Sequence, residues 1–145
     1  MNKKKLGKNK GRTLDSAVLV EVQDILADMP RKKDLLIEAL HLIQDKFNFI
    51  SAKHILALAQ EMKLSQTEVY EVATFYHHFD VVKEDQIPPP PLTVRICESV
   101  SCEMAGAKIL RKNLKALFQE DSKGFEKIRL QTVPCVGRCQ HAPIA

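Results

Sequence analysis

The cysteines are the residues of this chain with the widest chemistry, and all four lie between positions 97 and 139. They form two close pairs. Cys97-Glu-Ser-Val-Ser-Cys102 has four residues between its sulfurs, Cys135-Val-Gly-Arg-Cys139 has three, and thirty-two residues separate the pairs. Two close pairs joined by a folded spacer make a four-thiolate cage, which suits zinc or an iron–sulfur cluster. Spacing bears on the choice. A structural zinc ribbon usually keeps two residues between the cysteines of at least one pair, because that tight knuckle brings both thiolates to one ion. The wider loops here fit a larger object, such as a [2Fe–2S] rhomb in which each pair holds one iron. A structural zinc module with an interaction role remains the rival from another class. A thiol–disulfide oxidoreductase is a third reading, weakened because no Cys-x-x-Cys stands at a helix start to lower one thiol's pKa.

The spacing C-x4-C, a folded spacer, then C-x3-C-x2-Ala-Pro is carried by Cys97, Cys102, Cys135, Cys139, Ala142 and Pro143. It resembles the thioredoxin-like [2Fe–2S] subunit of NADH:quinone oxidoreductases (their E subunit), NAD-reducing hydrogenases and NAD-dependent formate dehydrogenases. Upstream, Leu40-His41 with Gln44, and Ala73-Thr74-Phe75-Tyr76 with Phe79, look like the helical leader of that family, so the resemblance covers residues 15 to 145. Val94-Arg95-Ile96-Cys97-Glu98-Ser99 and Cys102-Glu103-Met104-Ala105-Gly106-Ala107 look most like the gamma subunit of a soluble formate dehydrogenase. Two departures are mild. Glu38 stands where the family has proline, and Asn48 stands where it has glycine, but asparagine tolerates a left-handed helix terminus better than other side chains.

The resemblance implies that Cys97, Cys102, Cys135 and Cys139 hold a [2Fe–2S] cluster. It also implies a one-electron carrier with no catalytic site of its own. The implied partners are a flavin- and NAD-binding subunit or fused domain with a [4Fe–4S] relay and, farther off, a molybdenum or tungsten formate dehydrogenase catalytic subunit. The family continues past the Ala-Pro with a strand hairpin and a last helix. The expectation is therefore of an incomplete chain, whose second domain lacks those elements.

Composition narrows the class. At 145 residues and 45% hydrophobic content, the chain can bury one modest core or two small adjoining ones. It has no apolar run of membrane-spanning length and no apolar signal region after its basic start, so it reads as soluble, unexported and cytoplasmic. Four cysteines in an unexported protein serve more often as metal ligands or redox groups than as a disulfide framework. Lys3, Lys4, Lys5, Lys8, Lys10 and Arg12 exceed the whole formal charge of +4, which leaves the body slightly acidic. This arm reads as a solvated tail, or one that docks on an acidic partner, rather than as a nucleic-acid grip. No Gly-rich nucleotide loop of the Rossmann or P-loop kind is present, so flavin or NAD would belong to another chain or segment.

The elements that must position the cysteines follow from periodicity. Residues 1–13 form the basic tail and 14–87 a four-helix bundle. Residues 88–91 are expected to be a proline linker, and the resemblance implies that 92–145 are an incomplete thioredoxin-like [2Fe–2S] domain, giving a mixed α+β or α/β chain. A first helix is expected from Leu14 to Asp28, on Val18, Val22, Ile25 and Met29, and a second from Lys32 to Phe47 on Leu36, Leu40, Ile43 and Phe47. Ser51 caps a third with Ile55, Leu58, Ala59 and Met62 inward. Ser65 and Glu68 form a capping box for a fourth, with Val69, Val72, Ala73, Tyr76 and Phe79 as its stripe. His77 and His78 are expected to close that helix and His41 to pack beside the second. His141 is the histidine placed to reach a cluster sulfur. The fourth helix displays Glu68, Glu71 and Thr74, which speaks against DNA reading.

Past Pro88 to Pro91 the period becomes two. Leu92, Val94 and Ile96 predict a strand ending at Cys97. A helix over Gly106 to Gln119 turns Ala107, Leu110, Leu114 and Leu117 inward. Ser122-Lys123-Gly124 turns the chain, and Ile128, Leu130 and Thr132 predict a second strand that delivers Cys135. A strand, helix and strand of this length make a crossover with parallel neighbours, so both cysteine loops should leave the same edge of the sheet. Gly137 is expected to let the second loop turn where a side chain would collide. Arg138 is expected either to offset the cage's negative charge or to meet a partner.

Overall fold

In the computed structural model, which describes residues 13–120 and 128–145, helix α1 spans Ser16–Leu26. Asp15 caps it by accepting the Ala17 N–H at 3.1 Å. The helix is shorter at both ends than its apolar spacing predicts. A 3-10 turn (Lys33–Leu35) leads into α2 (Leu36–Phe47), which ends on Asn48 in the left-handed conformation, φ 63°, as expected of an asparagine C-cap. The basic tail over residues 1–12 and the turn expected at Ser122-Lys123-Gly124 lie outside the described residues.

A two-residue strand β1 (Ile50–Ser51) precedes α3 (Ala52–Met62). Ser51 caps α3 by accepting the His54 N–H at 3.1 Å, and His54 Nδ1 accepts the Ser51 N–H at 3.1 Å. A histidine thus completes a capping box that normally uses glutamate or glutamine. Helix α4 (Gln66–Phe75) opens on the expected box of Ser65 and Glu68. Each such cap is worth about 1 kcal/mol.

The predicted stripe of α4 runs too far. Tyr76 is extended and exposed, and His77 and His78 lie in a turn beyond the helix rather than closing it. The Thr74 hydroxyl contributes to this ending by donating back to the Tyr70 carbonyl at 2.8 Å, where local side-chain bonding competes with regular helix. Phe79 is nevertheless buried, and His41 packs between His78 and Phe79 with ring centroids at 4.7 and 4.9 Å. Strand β2 (Val81–Val82) then pairs in parallel with β1. One core, built on Val22, Leu26, Leu40, Ile43, Leu58 and Val69, joins α1 to α4. Each of its large side chains contributes about 1.5–3 kcal/mol on burial.

Beyond Pro88 to Pro91, which carry no regular structure, β3 (Leu92–Cys97) pairs in parallel with β4 (Ile128–Val133). The register runs from Leu92 opposite Ile128 to Cys97 opposite Val133. Between them lie a five-residue helix α5 (Val100–Met104) and helix α6 (Ala107–Glu120). A second, smaller core holds Ile96, Cys97, Cys102 and Ala107, with Val94, Leu114 and Leu130 against it. Leu117, expected inward, is 57% exposed, because among the described residues the small core reaches no farther along α6 than Leu114. Among the described residues no helix is long and apolar enough to cross a membrane.

Asp80 ties the two parts together. Its carboxylate accepts from Arg129 of β4 at 2.6 Å and from Arg95 of β3 at 3.1 Å. The buried Gln44 of α2 takes the Asp80 N–H at 3.1 Å, and the Asp80 carbonyl accepts the Ile50 N–H at 2.8 Å. Partly exposed pairs of this kind are each worth about 1 kcal/mol, so the node fixes geometry more than it adds stability.

His54 supplies a pH test of the helical part. It is buried and stacked on Phe47 at 4.5 Å, and burial holds its pKa below the ordinary 6.5. The neutral ring also accepts the Ser51 N–H, so protonation breaks the cap. The folded form then binds its proton later than the unfolded form. Stability is therefore full above pH 6.5 and declines as the pH falls from there through the lowered folded value. Denaturant melts between pH 7 and 5 should show that decline. His54→Gln keeps the box and should flatten this part of the profile.

Candidate metal centre

The parallel register carries Cys97 and Cys135 to the same end of the sheet. Cys97 is the last residue of β3, and Cys135 follows β4 by two residues. Two further bonds hold this end. The Glu98 N–H donates to the Val133 carbonyl at 3.0 Å, and the Cys97 N–H donates on the opposite edge to Ile144 at 3.0 Å. The last residues thus return along the free side of β3, where Ala142 and Ile144 pack on the small core.

The first pair is buried. Cys97 and Cys102 are each 1% exposed, and Cys102 arrives on α5 rather than in an open loop. Sequence reasoning missed α5, because five residues are too few to display a helical period. The Ser99 N–H, the Cys102 thiol and the Val136 N–H hold the Cys97 thiol below its ordinary pKa. At Cys102 the Ile144 N–H acts downward, but burial and the Cys97 thiolate outweigh it and the pKa is raised.

The second pair is exposed. Cys135 and Cys139 lie with their sulfurs 3.4 Å apart, and the Gly137 N–H points at the Cys135 sulfur at 3.4 Å. The hydrogen bond to Cys135 raises the Cys139 pKa, and the Ser101 hydroxyl acts against it. Gly137 is required for a different reason from the one its sequence suggests. A Cβ built there meets nothing within 4 Å, so no side chain would collide; the backbone lies at φ +79°, which favours glycine. Arg138 is exposed, and His141 is exposed in a 3-10 turn (Cys139–His141). The His141 backbone N–H donates to the Arg138 carbonyl at 3.0 Å.

The two pairs face one another. The Val136 N–H of the second loop reaches the Cys97 sulfur, and the Ser101 hydroxyl of the first reaches Cys139. Among the described residues no group of three or more cysteine, histidine or carboxylate side chains is placed to hold one metal ion. The sulfurs of Cys135 and Cys139 are in contact at 3.4 Å, while Cys97 and Cys102 lie together in the small core. A donor set of two thiol pairs suits a rhomb of two irons, with two thiolates on each. The N–H groups aimed at the sulfurs are what a thiolate-rich, negatively charged centre needs around it.

The family described as thioredoxin-like [2Fe-2S] ferredoxin matches residues 22–145. The E subunit of the NADH-quinone oxidoreductase of Buchnera aphidicola subsp. Baizongia pistaciae is 30% identical over 131 residues, covering 86% of this chain and 71% of that protein. The protein of the same name from Aquifex aeolicus is 27% identical, covering 86% of this chain and 76% of that protein. The HndA subunit of the NADP-reducing hydrogenase of Solidesulfovibrio fructosivorans is 26% identical, covering 86% and 71%.

Burial sets the order of thiol reactivity in the metal-free chain. Iodoacetamide followed by peptide mass spectrometry should label Cys135 and Cys139 first. Cys97 and Cys102 should follow only when denaturant opens the small core.

Proposed function

The chain belongs to the thioredoxin-like [2Fe–2S] ferredoxin family, and from that premise we propose that it is the one-electron carrier subunit of an NAD(P)-linked oxidoreductase complex. The observation that carries the reading is the pair of facing thiol pairs, Cys97 with Cys102 and Cys135 with Cys139, as ligands of one [2Fe–2S] cluster. A bound [2Fe–2S] cluster supplies one-electron storage at a set potential, and four thiolates leave neither iron an open position for substrate.

The chain's own residues hold and tune that centre. The β3–β4 register fixes the spacing of the two loops. The Val136 N–H helps to hold the Cys97 thiol below its ordinary pKa and so favours the thiolate form, which is the metal ligand, and the Gly137 N–H donates to the Cys135 sulfur. The small core shields the first pair, while the second lies at the surface where a partner's redox group can approach.

The names of the relatives support a parent complex of the NADH-quinone oxidoreductase or NADP-reducing hydrogenase kind. The segments Val94–Ser99 and Cys102–Ala107 support the finer reading of a formate dehydrogenase gamma subunit. In each case the expected partner is a flavin- and NAD-binding subunit or fused domain with a [4Fe–4S] relay. Affinity purification from the native source, with the complex assayed for reduction by NADH, hydrogen and formate, distinguishes the parents.

The test of the reading itself is metal content of anaerobically purified chain with each cysteine changed in turn. About two irons per chain are expected in the unaltered protein. Cys97→Ser, Cys102→Ser, Cys135→Ser and Cys139→Ser should each lose or destabilise the iron, while surface substitutions away from the cysteines, such as Lys112→Gln, should not. Stoichiometric zinc without iron would replace this reading by a structural module.

A further inference from the structure

Strand alternation divides the sheet into two faces. Val94, Ile96 and Leu130 face α6 in the small core, while Thr93 and Arg95 share the other face with Arg129 and Gln131 of β4; Cys97, last in its strand, falls on that side by alternation and also packs in the small core. Arg95 therefore lies on the face of its own nearest cysteine. It also lines, with Tyr76, His78, Cys97 and Cys135, a groove of about 650 Å³ between the end of α4 and the two cysteine loops. Both guanidiniums on this face are committed. Arg95 donates to the His77 carbonyl at 3.2 Å, to the His78 carbonyl at 3.0 Å and to Asp80, and Arg129 donates to Thr93 and to Asp80. Gln131 stands directly opposite Arg95 in the register, yet its Oε1 is buried without a hydrogen-bond partner. Both arginines bond the carboxylate of the helical part, and neither bonds Gln131.

We propose that Asp80 is a positioning residue of the metal centre, which holds Arg95, two residues before Cys97 on β3, and Arg129 farther along the sheet against the helical part and cancels one of their two charges. This rests on the reading that the four cysteines hold a [2Fe–2S] cluster. The Asp80 carboxylate is 11% exposed, and the two arginines are 26% and 30% exposed, so solvent screens this charge only in part. A four-thiolate cluster carries excess negative charge, and taking up an electron adds to it. Nearby cations favour the reduced state and anions oppose it. Helix α2 and the turn before β2 thus reach the potential of a centre with which they share no ligand.

The test is a redox titration of the full chain followed by electron paramagnetic resonance, with iron content measured in parallel. Asp80→Asn leaves both arginines uncompensated and should raise the reduced-to-oxidised ratio at the unaltered protein's midpoint by about threefold, a tenfold change being 59 mV for one electron. Arg95→Gln and Arg129→Gln remove a cation and should lower that ratio. These two carry the test should Asp80→Asn fail to fold. A merely structural clamp would lower thermal stability in all three variants and leave the potential unmoved, or shift it in one common direction. Either outcome with iron retained would overturn this inference alone. A chain without cluster even when unaltered would instead overturn the reading of the cysteines, and this inference with it.

Discussion

Everything about this centre depends on one parallel pairing, β3 against β4, that sets Cys97 opposite Val133. Neighbouring strands lie about 5 Å apart, so loops leaving the same edge of a parallel pair arrive within reach of one small object. An antiparallel pairing would have sent them to opposite edges. The helix α6 between the strands is what makes the parallel arrangement available, since a crossover needs an intervening element to return the chain to its starting end. The short helix α5 then folds Cys102 back beside Cys97.

The loops add electrostatic order to this placement. Backbone N–H groups of Ser99, Val136 and Gly137 aim at sulfur, and the left-handed turn at Gly137 brings one of them round. Thiolates are stabilised by such donors more cheaply than by side-chain cations, because the donors are already fixed when the centre assembles. The helical part contributes through Asp80, which reaches across to both strands. The sheet that carries the cysteines and the helical part are thus joined by a covalent proline segment and also by a charged contact through Arg95, two residues before Cys97.

Much of this was legible in the sequence, for identifiable reasons. Alternation at Leu92, Val94 and Ile96 and at Ile128, Leu130 and Thr132 is strong because one face of each strand meets α6. Asn48, Ser51 and Ser65 announce helix boundaries because each supplies a local hydrogen bond or a left-handed backbone. The failures share a cause too. The end of α4 at Phe75, the exposure of Leu117 and the two-residue strands β1 and β2 are decided by tertiary surroundings that no window of sequence contains. Asp80 meets Gln44, Arg95 and Arg129 from 36, 15 and 49 residues away, so its role is invisible until the chain is folded. Gly137 was rightly singled out, but for its side-chain space rather than its backbone angle.

The most direct test of the central claim is Mössbauer spectroscopy on the full chain reconstituted with isotopically enriched iron, before and after dithionite reduction. Two thiolate pairs holding one iron each predict a spin-coupled pair of ferric sites without net magnetism when oxidised. On reduction by one electron, one site should become ferrous while its neighbour stays ferric. Isolated high-spin iron in a single four-sulfur site, or a chain that accepts zinc and refuses iron, would contradict the account.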